Sequence, residues 1–146
     1  MLPLPSFGDI THVIQLAVAP VFLLTGVGTI LAVLTNRLGR AVDRGRVVEK
    51  LLPELAGEAL GAAHEELALL ARRTQLIYSA IVLAVVCALF VCLLIAAAFI
   101  DAFIAANLSR VIGALFVLAM VALIGCLVVF LREIFLAVTS ARRTMR

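Results

Sequence analysis

The run Thr74-Gln-Leu-Ile-Tyr-Ser-Ala-Ile-Val-Leu-Ala-Val-Val-Cys-Ala-Leu-Phe-Val-Cys-Leu-Leu-Ile-Ala-Ala-Ala-Phe-Ile100 carries no charge between Arg73 and Asp101. A helix needs about 20 apolar residues to cross roughly 30 Å of hydrocarbon, and this run exceeds that. Two further uncharged runs share the pattern, Ile10 to Asn36 between Asp9 and Arg37, and Val111 to Leu131 between Arg110 and Arg132. None shows the period-two alternation of a membrane barrel strand, and in lipid only helices or closed barrels satisfy every backbone group. The expected fold is an all-α membrane protein with three transmembrane helices at about residues 10–36, 74–100 and 111–131.

Composition agrees. Of 146 residues, 65% are hydrophobic and 14% charged, and the mean hydropathy is +1.25. A soluble domain of this size cannot hide so much apolar surface, because most of its exterior is wetted. Tryptophan is absent and Tyr78 is the single tyrosine, so the aromatic belt at the headgroups is weak. Cys87, Cys92 and Cys126 all fall inside apolar runs, where free cysteine behaves as a small hydrophobe, so no disulfide and no metal centre is expected. The first apolar segment is too long for a signal peptide and has its arginines at the wrong end, so it is expected to remain in the mature protein.

Basic residues set the orientation. Arg37, Arg40, Arg44, Arg46, Lys50, Arg72 and Arg73 lie between the first and second spans, and Arg142, Arg143 and Arg146 close the chain. The connection from Asp101 to Arg110 has one basic residue and the N-terminal nine residues have none. The positive-inside rule therefore places the N-terminus outside, with residues 37–73 and the tail 132–146 in the cytoplasm. The expected location is the bacterial inner membrane.

Residues 37–73 read as a cytoplasmic helical hairpin. Leu38, Val42, Val48 and Leu52 recur at near-helical spacing, as do Leu60, Ala63, Leu67 and Leu70, with a break around Pro53. Each arm continues a span and reaches roughly 24 Å beyond it at about 1.5 Å per residue. Folding at the break brings Lys50 toward Glu58 and Arg44 toward Glu65, and brings Arg37 level with Arg72 and Arg73. The membrane-proximal end is thus a collar of arginines suited to anionic lipid phosphates.

The first span is the least lipid-like. Gln15, Ala19, Phe22, Gly26, Thr29, Val33, Asn36 and Arg40 follow one another by three or four residues, forming a face of small and polar groups. Two readings stand: a helix-packing face with hydroxyls bonded back to their own carbonyls, or the lining of a pore in a homo-oligomer. Gln15, Thr25, Gly26, Thr29 and Asn36 are the candidate residues on either reading. Pro20 frees a carbonyl and is compatible with both. Arg132 and Glu133 interrupt the third apolar run, and both are expected at the inner interface, Arg132 snorkelling and Glu133 meeting an arginine of the collar; a buried, functional Glu133 is the alternative. Asp101 reads as a wet helix end.

No catalytic constellation is visible. His12 and His64 are expected on opposite sides of the membrane, and His64-Glu65-Glu66 lacks the second histidine of a zinc-protease helix. No phosphate-binding glycine loop, nucleophile elbow or intramembrane carboxylate pair occurs, so no enzyme activity, no cofactor and no nucleic-acid partner is expected.

The stretch Asp9-Ile-Thr-His-Val-Ile-Gln-Leu-Ala-Val-Ala-Pro-Val-Phe-Leu-Leu-Thr-Gly-Val-Gly28, continuing through Leu34-Thr-Asn-Arg-Leu-Gly-Arg-Ala-Val-Asp-Arg-Gly-Arg-Val-Val-Glu49, resembles the bacterial membrane proteins grouped as domain of unknown function 2721. The most specific part is Ala19 to Gly26 followed by Asn36-Arg37 and Asp43-Arg44, and the resemblance extends over nearly the whole chain. It implies a bacterial inner-membrane protein and no particular activity, and it directs attention to Gln15, Pro20, Thr25, Gly26, Asn36, Arg37, Arg40, Asp43 and Arg44. Asp43 shares a helix side with Asn36 and Arg40, where it can pair with Arg40 or with an arginine of a neighbouring subunit. Arg37, Arg40, Asp43, Arg44, Arg72 and Arg73 are accordingly candidate subunit or lipid contacts.

Three spans are too few to enclose a transport path alone, so transport requires assembly. The expected function is a homo-oligomer with an ion or small-solute pore lined by first spans; the alternative is a scaffold whose hairpin docks a cytoplasmic protein partner.

Overall fold

The computed structural model describes residues 7–104 and 107–144, which are helical apart from two turns. Helix α1 spans Phe7–Leu51, α2 spans Glu58–Ile104 and α3 spans Ser109–Thr144. Three helices are long and apolar enough to cross a membrane, within Ala17–Glu54, Glu58–Ile104 and Ser109–Thr139. At about 1.5 Å per residue, 45-residue α1 and 47-residue α2 are each roughly 70 Å long, more than twice the hydrocarbon thickness. Residues 132–144, expected as a tail, continue α3 without a break. Arg146 lies outside the described residues.

Two turns join the helices, and each has a local cause. Past Leu51 the chain tightens into a 3-10 turn at Leu52–Glu54, where Pro53 offers no amide to continue an α-helix. The Leu55 amide donates to the Leu52 carbonyl at 3.2 Å, and Gly57 reverses direction at φ +62°, a conformation that glycine adopts without a Cβ penalty. The Gly61 amide then donates to the Gly57 carbonyl at 3.3 Å. In the second turn Asn107 takes φ +53° and the Leu108 amide donates to Asp101 Oδ1 at 2.9 Å. Asp101 is therefore more than a wet helix end: its carboxylate satisfies a backbone donor in the turn.

The chain divides into two compact units, Met1–Ile30 with Leu83–Ile124, and Leu31–Val82 with Gly125–Arg146. The first unit buries Val27, Ala84, Cys87, Val91, Leu94, Ala119 and Ala122, and also Pro20. The second buries Leu34, Ala41, Val48, Ala63, Leu70, Ile77, Ala80, Cys126 and Glu133.

Along each helix these buried positions recur every seven residues. On α1 they are Pro20, Val27, Leu34, Ala41 and Val48. On α2 they are Ala63, Leu70, Ile77, Ala84 and Val91, with a second line at Ala80, Cys87 and Leu94; on α3 they are Ala119, Cys126 and Glu133. A strict repeat of seven is the signature of knobs-into-holes packing with a left-handed twist. The many alanines on these lines let backbones approach closely, which is how helices gain packing energy in lipid. Large side chains such as Phe22, Leu89, Val121 and Phe135 are exposed, and an apolar surrounding would solvate them without cost.

Candidate functional site

Glu133 stands where α3's seven-residue line calls for an apolar side chain, and it is fully buried. An unpaired carboxylate there would be prohibitive, because a buried charge persists only when paired and hydrogen-bonded. Two guanidiniums meet it. Arg37 follows buried Leu34 by three residues on α1, and Arg73 follows buried Leu70 by three on α2, so both flank their helices' packing lines. Arg73 donates from Nε and from Nη2 to Glu133 Oε1, each at 3.1 Å. Arg37 Nη2 lies 2.7 Å from Oε2, close enough for strong attraction but outside hydrogen-bond alignment. Its Cζ also sits 5.5 Å from the centre of the Phe130 ring, within cation–π range.

Each member of this cluster is the first or second charge at the end of an uncharged run: Arg37 ends the first, Arg73 begins the second, and Glu133 follows Arg132 after the third. Three helices are thus tied together by one carboxylate. The expectation that Glu133 meets a collar arginine holds, with two partners rather than one, and its carboxylate is buried within its unit. Arg132 is exposed.

Two turns along, Arg44 Nε donates to Glu66 Oε1 at 2.7 Å on an exposed flank. The expected partner was Glu65; the neighbouring residue takes the role because the arms pack one position out of the simplest fold-back register. Asp43 lies 3.9 Å from Arg46 Nη1 rather than beside Arg40, and both are exposed. Arg40 and Arg72 are exposed, and neither has an ion-pair partner among the described residues. Arg37, Arg40, Arg44 and Arg73 line a pocket of about 370 Å³ floored by Ala41 and Leu70. A second, open groove of about 860 Å³ is mostly apolar and runs between Leu38, Val42 and Gly45 of α1 and Leu67, Ala71 and Tyr78 of α2.

The small-polar face of α1 points away from the chain's own packing. Gln15, Thr25, Gly26, Thr29 and Asn36 are all exposed, on a side distinct from the Val27–Leu34–Ala41 line. The hydroxyls bond back along the helix: Thr25 Oγ1 donates to the Val21 carbonyl at 3.2 Å, Thr29 Oγ1 to Thr25 at 3.1 Å and Thr35 Oγ1 to Leu31 at 2.8 Å. A Cβ added at Gly26 or Gly28 would meet nothing within 4 Å.

Two participants escaped sequence reasoning. Phe130 is one apolar residue among many in its run, and only its place one turn before Ile134, beside Glu133, marks it. Glu66, which pairs with Arg44, differs from the expected Glu65 only by helix phase.

A family model described as "Protein of unknown function (DUF2721)" matches residues 17–143, and the chain belongs to that family. No curated protein and no solved structure matches the chain.

Proposed function

We propose that this member of the family is a three-span protein of the bacterial inner membrane that assembles with copies of itself through the outward face of its first span. One observation carries the reading. The smallest and most polar line of the most polar span, Gln15, Gly26, Thr29 and Asn36, is exposed on the chain while a different line is buried. In hydrocarbon, small and hydroxyl-bearing residues promote close helix contact, whereas lipid gains nothing from them. A closed ring of such faces surrounds a central path, which is the pore version of the proposal.

Cysteines introduced singly at Gly26, Thr29 and Asn36 test both levels. In native membranes they are expected to form inter-subunit cross-links, whereas cysteines at Gly28 and Thr35, exposed on another side of α1, do not. Native mass spectrometry in mild detergent gives the subunit number. Four or more copies, with Thr29→Cys reacting with aqueous thiol reagents, supports a pore; a dry Thr29 in an assembled ring leaves the assembly and removes the pore.

The open apolar groove between the two arms favours a second reading, a scaffold that docks a cytoplasmic partner. It is separated from the first by the Leu67→Glu variant, which destroys a docking groove and leaves cross-linking at Gly26 intact.

A further inference from the structure

The geometry points to a phosphate-binding site on this chain, formed by Arg37, Arg40, Arg44 and Arg73 and filled by the headgroup of an anionic phospholipid. Four guanidiniums border one pocket of about 370 Å³, a size suited to a small polar group, and two carboxylates, Glu66 and Glu133, are paired with them. Four positive charges against two negative ones leave an excess of two. Arg37 and Arg73 are half-buried while Arg40 and Arg44 are exposed, so the excess lies at a mouth open to solvent, where an anion can reach all four.

Donors are also left over. Arg37 Nε is buried with no hydrogen-bond partner, and Arg40 has no ion pair among the described residues. Glu66 engages Arg44 through Nε, so the two terminal nitrogens of that fork remain available. Planar guanidinium forks match the spacing of phosphate oxygens, and several of them around one concavity recognise a phosphate by two-point contacts. The carboxylates set the geometry without neutralising it: Glu133 holds Arg37 and Arg73 from one side, and Glu66 holds Arg44 from another.

The location selects the ligand's source, and here the inference rests on reading the chain as a membrane protein. Arg37 and Arg73 border the uncharged runs directly, at residues 36 and 74, so the pocket opens at the hydrocarbon boundary, where lipid phosphates lie. The apolar floor at Ala41 and Leu70 suits glycerol carbons beside the phosphate.

The test uses the full chain in zwitterionic detergent, titrated with phosphatidylglycerol, phosphatidylcholine or inorganic phosphate, with retained lipid counted by native mass spectrometry and melting followed in parallel. Arg40→Gln with Arg44→Gln removes two pocket forks that do not hold Glu133. Arg46→Gln with Lys50→Gln removes the same charge outside the pocket. Expected is phosphatidylglycerol binding at least about tenfold tighter than phosphatidylcholine, reduced about thirtyfold in the pocket variant and less than about threefold in the control. Equal losses in both variants, or no loss in the pocket variant, overturn the site in favour of a diffuse basic collar. Inorganic phosphate binding as tightly as phosphatidylglycerol overturns the lipid as source and assigns the pocket to a soluble phosphate compound. If alkaline washing strips the chain from membranes without detergent, it is the membrane reading that fails, a result separate from either arm.

Discussion

At the residue scale, the carboxylate of Glu133 ties α1, α2 and α3 together where their uncharged runs meet charge. Removing one partner of a buried ion pair leaves the other charge desolvated and unmatched, at a cost of about 3–5 kcal/mol. Glu133→Ala strands two guanidiniums, so its melting in detergent is expected well below wild type, and Glu133→Gln is expected to fall between. Glu66→Ala removes a solvent-exposed partner and is expected to change stability by no more than about 0.5 kcal/mol. Equal melting of Glu133→Ala and Glu66→Ala would show that the buried cluster contributes nothing special. The sequence made Glu133's attraction to the collar legible, since a carboxylate at the end of an apolar run has few other recourses. Its pair of partners was not legible, because that depends on the rotational phase of three helices. An error of one position, about 100° on a helix, separates Glu65 from Glu66.

At the element scale, the long uncharged runs and the break at Pro53 sufficed to read three spans and the continuation of the first into its arm, but not the extension of α3 through residues 132–144. What they could not supply was the buried side. In water, hydrophobicity marks the face turned inward; in lipid, both faces are apolar and the driving force between helices is packing. On α1, buried Leu34 and exposed Val33 are equally at home in hydrocarbon, and only the seven-residue spacing tells them apart. Leu34→Ala is expected to lower stability by about 2 kcal/mol, the low end of the range for a core leucine because lost contacts alone count. Val33→Ala is expected to lie within about 0.5 kcal/mol of wild type. Thermal unfolding of the two purified variants checks the phase of the helix; a reversed order would mean that the packing line has been placed on the wrong side.

At the scale of the whole molecule, the positive-inside rule and the helix lengths make a joint prediction. Residues 37–51 of α1 extend roughly 22 Å past the uncharged run. A spin label or fluorophore at Glu54 is therefore expected in water on the cytoplasmic side and inaccessible to lipid-borne quenchers. A label at Thr29 is expected within quenching range of the acyl chains or, in a pore, of aqueous reagents. A cytoplasmic reporter active at residue 144, with an N-terminal tag reached only from outside, completes the orientation; any other pattern rejects it. The same regular spacing that packs α1 also governs how the family's chain can change length. A single inserted residue in an arm turns everything beyond it by about 100° and dismantles the packing line. Seven inserted residues restore the line but leave the opposite arm short by two turns. Insertions into the arms are thus expected to be tolerated as whole sevens taken in matched pairs, one in each arm, so that their permitted lengths come in steps.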